Sequence, residues 1–183
     1  MPRSTMPAVL LVDGYNIIGA WPCLKKTRDH SGLEAARAEL IEAMTNYTAF
    51  QGYETQIIFD AQYQNSSSNK EIITELLSVY FTDFGQTADT YIEKVCASLR
   101  PQVTQSRISR VIVATSDRAQ QLMVLGYGAE WLSAQQLCGE VEATVCRMRQ
   151  KYQTRKQSKS RFLASAIDAK ARQRLAELRM GLQ

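Results

Sequence analysis

Three short apolar runs in this chain of 183 residues each stop at an aspartate. Ala8-Val9-Leu10-Leu11-Val12 ends at Asp13, Gln56-Ile57-Ile58-Phe59 at Asp60, and Arg110-Val111-Ile112-Val113-Ala114-Thr115-Ser116 at Asp117. A fourth acid, Asp89, follows Thr87-Ala88, where a helical apolar pattern begins. In open α/β sheets ligands bind outside the carboxyl ends of the strands, so acids placed there are well sited for chemistry. Carboxylates brought together repel and raise one another's pKa, and a divalent cation or shared protons relieve the repulsion. Oxygen-only donors suit Mg²⁺ or Mn²⁺. A cation held in this way activates water and steadies the leaving oxygen of a phosphodiester, so the chemistry expected of Asp13, Asp60, Asp89 and Asp117 is hydrolysis of RNA or DNA. Each acid also has a plainer use: Asp89 as a charge in a first helical turn, Asp117 as a helix cap. Asn16 is suited equally to orienting a water or metal ligand near Asp13 and to capping the following turn. Glu93, one turn beyond Asp89, either extends the acidic group or lies on a surface face.

The elements that must position these residues follow from periodicity. The apolar runs, leucine-rich and β-branched, read as strands buried on both faces of a parallel sheet, with Gly14 allowing a sharp turn behind the first. Trp21-Pro22 through Ser31-Gly32 reads as a loop. Leu33 to about Phe50 reads as an amphipathic helix with Leu33, Ala36, Leu40, Ile41 and Met44 on one stripe, ended by Gly52. The polar stretch from Ala61 to Asn69 reads as a mobile loop, and Leu76 to Thr82 as a strand. Thr87 then caps a helix whose apolar positions are Ala88, Tyr91, Ile92, Val95 and Leu99. Arg118 to Leu125 is a short helix, Ala129 to Leu132 an edge strand, and Ala134 to about Met148 a further helix. Strands alternating with helices predict a doubly wound, mostly parallel sheet.

Composition bounds the partners. Hydrophobic residues make up 45% and charged residues 22% of the chain, ordinary values for a globular protein. No apolar run reaches the ~18 residues of a membrane span, and the opening residues lack a signal-peptide core, so a cytoplasmic protein without a membrane partner is expected. Cys23, Cys96, Cys138 and Cys146 have no CxxC spacing and His30 is the sole histidine, which leaves too few ligands for zinc. The cysteines are expected to be reduced and mostly buried. Cys23 with His30 as a nucleophile and base lacks an orienting third group.

From Arg147 onward eleven bases face only Asp168 and Glu177, while the whole chain carries +4, so a basic tail follows an acidic body. That asymmetry points to a polyanion. Lys25, Lys26 and Arg28 in the loop, with Arg155, Lys156, Lys159 and Arg161 in the tail, are the candidate RNA contacts, acting on phosphates without sequence choice. Tyr15, Trp21, Tyr63 and Tyr152 would stack on bases if exposed. The tail reads as a helix with a narrow apolar stripe or as a segment that orders on binding. The absence of a Gly-rich phosphate loop weighs against a nucleotide-binding enzyme.

Leu11-Val12-Asp13-Gly14-Tyr15-Asn16-Ile17-Ile18-Gly19 with Trp21-Pro22, the helix opening Leu33-Glu34-Ala35-Ala36-Arg37, Phe59-Asp60-Ala61, Thr87-Ala88-Asp89-Thr90-Tyr91-Ile92-Glu93 and Ala114-Thr115-Ser116-Asp117 together resemble the YacP-like branch of NYN domains, relatives of the PIN nucleases. The resemblance runs from about Ala8 to Met148, with the tail outside it. It implies a PIN-like three-layer α/β/α sandwich over residues 1–149 with a basic helical extension over 150–183. It also implies a Mg²⁺ or Mn²⁺ site at Asp13, Asp89 and Asp117, supported by Asp60 and Asn16, and endoribonuclease activity, in part of the family on messenger RNA at the ribosome. The alternative is an RNA- or ribosome-binding module of the same fold without turnover. Gln86 stands where the family usually has a glutamate.

Overall fold

β1 (Ala8–Asp13) is buried along its whole length at the centre of the sheet, as an apolar run with two covered faces requires. The computed structural model describes residues 7–60, 69–105, 107–166, 174 and 179. After β1 come α1 (Gly14–Ala20), α2 (Pro22–Ser31), α3 (Leu33–Gln51), β2 (Tyr53–Phe59), β3 (Asn69–Ile72), β4 (Leu77–Phe81), α4 (Ala88–Thr104), β5 (Arg110–Ala114), α5 (Arg118–Gly126), β6 (Glu130–Leu132) and α6 (Ala134–Ala166). The sheet order is β3-β4-β2-β1-β5-β6, with every pairing parallel except that of β3 with β4. The chain builds outward from β1 through β2 to β4, then crosses to β5 on the other side. The strand order therefore reverses between β1 and β5, the position where such sheets open a crevice.

Alternation along β1 divides the core in two. Leu10 and Val12 pack with Ile17, Trp21, Leu40, Met44, Phe59 and Leu137 on one face; Val9 and Leu11 pack with Ile92, Cys96, Val113 and Val124 on the other. Helices α1, α2, α3 and the start of α6 thus cover the first face, and α4 and α5 the second, giving three layers. Two compact units divide the chain at Thr144. The first holds the sheet and the start of α6, and the second holds the rest of that helix.

Several elements depart from expectation. The segment after Trp21 is helix α2 rather than a loop: Trp21 occupies the N-cap with Pro22 in the first turn, where a missing N–H costs nothing. Its periodicity was hidden because only Leu24 is buried and the rest of the helix is charged or polar. β3 is an edge strand of four residues carrying Lys70 and Glu71, a charged pattern that prevents edge-to-edge pairing and conceals the strand from hydrophobic reading. Helix α1 (Gly14–Ala20) stands where only a turn was expected, and α6 runs to Ala166 rather than ending near Met148; the remaining elements lie close to where periodicity placed them. Gly52 closes α3 in the left-handed conformation at φ 70°, and Thr87 caps α4 by accepting from the Thr90 amide at 3.2 Å. The polar segment 61–68, Tyr63 included, and the apolar tail positions beyond Ala166 lie outside the described residues.

The cysteines correct another expectation. All four are free, but only Cys96 is buried; Cys23 and Cys146 are exposed and Cys138 is partly so. Trp21 is no stacking platform: it is 3% exposed, and its indole Nε1 donates to the Ala134 carbonyl at 2.8 Å, tying α2 to α6.

Candidate active site at the carboxyl edge of the sheet

Asp13 is the last residue of β1 and is only 8% exposed. It also caps α1, its Oδ1 accepting from the Asn16 amide at 3.2 Å. The helix can start this abruptly because the next residue is Gly14. A Cβ there would stand 2.2 Å from the Phe59 ring on the neighbouring strand, so no larger residue fits without displacing it. Asp60 follows β2 directly, and its Oδ1 accepts from the Ala88 amide at the start of α4. This bond fastens the amino end of α4 to the sheet and so sets Asp89 in its first turn. Asp89 Oδ1 in turn accepts from Gln120 Nε2 at 2.6 Å. Asp117 caps α5, its Oδ1 accepting from Ala119 and Gln120 amides at 2.7 and 3.1 Å.

The four acids feel one another. Asp13 is pushed up to about 7, chiefly by burial, then by the charges of Asp89, Asp60 and Asp117, against the lowering bond from Asn16. Asp89 is also raised, by burial first and then by Asp117 and Asp60. Among the described residues none of the four makes an ion pair. A common geometry runs through the set: each carboxylate commits one oxygen to a backbone or side-chain donor that fixes its direction. The other oxygen takes no hydrogen bond among the described residues. Orienting bonds of this kind are what a set of metal-ligating oxygens needs.

Asn16 does more than cap a turn. Its Oδ1 accepts from the Ser116 amide at 2.7 Å, linking the first turn of α1 to the loop before Asp117 across 100 residues of sequence. Thr115 is buried and its hydroxyl accepts from the Asp117 amide, while Ser116 Oγ accepts from the Ala134 amide. Both serve the loop's shape. Glu93 does not extend the acidic group, since its carboxylate accepts from the Tyr127 hydroxyl at 2.9 Å. Gln86 closes its turn through the main chain, its N–H donating to the Asp83 carbonyl and its carbonyl accepting from Thr82 Oγ1.

Gln120 is the residue that sequence reasoning missed. It is 3% exposed, holds Asp89, and leaves its Oε1 without a partner among the described residues. Its only signal was a polar residue three positions after the capping Asp117. Lys25 and Lys26 are exposed on α2, and Arg28 is bonded to Asp29 at 2.9 Å. The His30 ring contacts the Lys26 carbonyl rather than Cys23, so those two form no nucleophile and base pair. Arg155, Lys156, Lys159 and Arg161 fall on the helical backbone of α6, with side chains outside the described residues; Tyr152 is 72% exposed.

Known proteins resemble this chain in sequence and fold. The family model for the YacP-like NYN domain matches residues 10–180, which brings the basic tail inside the family rather than leaving it outside. A Bacillus subtilis (strain 168) protein described as uncharacterized protein YacP is 40% identical over 134 residues, covering 73% of this chain and 75% of its own. A crystal structure of Rae1 (YacP) from Bacillus subtilis, in a mutant form, superposes with a TM-score of 0.68 at 36% identity over 83% of this chain and 85% of that one. Another crystal structure of the same protein gives 0.63 at 31% identity over 94% and 95%. NYN domains are generally nucleases, typically dependent on a divalent metal. With its PIN-like sheet and its acids at the strand-order reversal, the chain belongs to the YacP-like NYN domain family.

Proposed function

We propose that this protein is a metal-dependent endoribonuclease that hydrolyses RNA phosphodiester bonds at the carboxyl edge of its sheet. The observation that carries the reading is Asp13, a buried carboxylate on which the charges of three other acids bear and which, among the described residues, makes no ion pair. The donors are all oxygen, the preference of Mg²⁺ and Mn²⁺. Among the described residues no three His, Cys, Asp or Glu side chains stand grouped as a finished cage. A small hard cation does not need such a cage, because it is commonly held by one or two carboxylates with water and substrate phosphate in the remaining positions. Asp13, Asp89 and Asp117 are the residues that would hold it, one or two of them directly and the rest through bound water. Asp60 and Asn16 support them by fixing α4 and the β5–α5 loop. Such a cation, when bound, lowers the pKa of water and screens charge on the leaving oxygen. Gln120 keeps Asp89 aimed into the group.

Messenger RNA, met at the ribosome, is the finer part of this reading. The decisive experiment incubates end-labelled structured RNA with the purified chain and Mn²⁺. Wild type should generate new ends, whereas Asp13→Asn and Asp89→Asn should bind the RNA yet cut it far more slowly. Undiminished cleavage by both variants would refute the proposal, and a mobility shift by wild type without new ends would assign the fold to RNA binding alone.

A further inference from the structure

Arg37 on α3 is held in place without a carboxylate. Its Nη1 donates to the Tyr15 hydroxyl at 3.1 Å, and its guanidinium carbon lies 5.7 Å from the centroid of the Phe81 ring. Among the described residues it makes no ion pair. Both of its partners belong to the rim of the acidic group. Tyr15 follows Asp13 by two residues and packs on Phe59 at 4.9 Å between ring centroids. Phe81, the last residue of β4, stacks on the same Phe59 at 5.6 Å, and Phe59 immediately precedes Asp60. A guanidinium fixed by a ring face and a phenol keeps its full charge and most of its five N–H donors. That is the chemistry of a phosphate grip, since the planar fork matches two phosphate oxygens.

Three residues past Phe81, Phe84 is 90% exposed. Isolated exposed apolar side chains are ordinary, but this one is displayed on a tied turn. The Thr82 amide donates to the Phe59 carbonyl at 3.0 Å, Thr82 Oγ1 to the Gln86 carbonyl at 2.7 Å, and the Gln86 amide to the Asp83 carbonyl at 2.9 Å. Gly85 completes the turn at φ 85°, and the loop leads directly to Ala88, whose amide holds Asp60. An aromatic ring on a preorganised turn gives up less entropy on stacking than one on a free segment.

We propose that Arg37 and Phe84 form a rim that receives single-stranded RNA beside the acidic group, Arg37 gripping a backbone phosphate and Phe84 stacking on a base. Stacking on a protein ring requires an unpaired base, so the substrate class is single-stranded rather than duplex. This deepens the nuclease reading and rests on it.

The test measures fluorescence anisotropy of a labelled single-stranded oligoribonucleotide and of its duplex with full-length protein in EDTA, across a salt series. Phe84→Ala should weaken single-strand binding roughly tenfold and spare the duplex, with Phe84→Trp retaining affinity. Arg37→Met should weaken binding and reduce the salt slope by about one, whereas Arg37→Lys should keep the slope and lose part of the affinity. Because Phe84 is exposed, its variants report on binding even if Arg37→Met disturbs packing. Unchanged single-strand affinity in Phe84→Ala and Arg37→Met, in a chain that still cleaves RNA with Mn²⁺, overturns the rim and leaves the nuclease reading standing. Equal losses on single strand and duplex for Phe84→Ala overturn the stacking role. Wild type that binds neither RNA overturns both readings.

Discussion

A hollow under one face of the sheet and the carboxyl edge of the same strands differ in how their charges are balanced. Between α4 and the second face of the sheet lies a cavity of about 210 Å³, lined by Val9, Leu11, Gln56, Ser78, Val95 and Leu99 among others, with Glu54 and Lys70 supplying one charge of each sign. Concave, partly apolar space of this kind is where a ligand is first sought. The carboxyl edge of the same strands instead gathers four charges of one sign, one of them buried, and directs each with a hydrogen bond. The cavity's charges can offset each other without a ligand. Those at the edge are all of one sign and need a cation or shared protons to offset them, which is why the proposed nuclease chemistry is placed there.

The contrast breaks if the cavity and the carboxyl edge respond alike to mutation. Asp13→Asn should reduce RNA cleavage by at least about 100-fold, while Glu54→Gln, which changes one charge at the cavity, should leave the rate close to wild type in the same assay. Comparable losses in both would remove the distinction.

Stability against pH sharpens it. The folded-state pKa of Asp13 lies above its unfolded value, so between about pH 4 and pH 7 the metal-free native state binds the extra proton and stability falls as pH rises. Denaturant unfolding in EDTA should show a loss approaching about 2–4 kcal/mol across that window, and Asp13→Asn should largely abolish it. A flat profile for wild type would mean that burial does not penalise the Asp13 carboxylate in the metal-free fold. Gly14→Ala should cost about 1–3 kcal/mol, measured by chemical denaturation, because the added methyl meets the Phe59 ring. The smallest effect expected is that of Thr87→Ala, about 1 kcal/mol from the lost cap of α4, with Asp60 still holding the Ala88 amide.

Much of the scaffold was legible because buried parallel strands leave continuous apolar runs. β1, β2 and β5 were read from Val9-Leu10-Leu11-Val12, Ile57-Ile58-Phe59 and Val111-Ile112-Val113, and all three are buried centrally. Elements that bury little were misread or missed, since α2 sinks only Leu24 and β3 is a charged edge, and α1, too short to show a helical period, was read only as a turn. The acids were legible individually, as strand ends and a first helical turn. Their partners were not, because Asn16 with Ser116, Gln120 with Asp89 and Arg37 with Tyr15 are pairs far apart in the chain.

Sequence alone determined the alternation of strands and helices, the aspartate at the end of each central strand and the basic tail, since periodicity and charge are local properties of the chain. Tertiary structure alone decided that β1 lies between β2 and β5, that Asp60 fastens α4 beside Asp13, and that Gln120 and Arg37 belong to the same edge. Those outcomes depend on strand order and on hydrogen bonds closed over long loops, and no short stretch of residues encodes either.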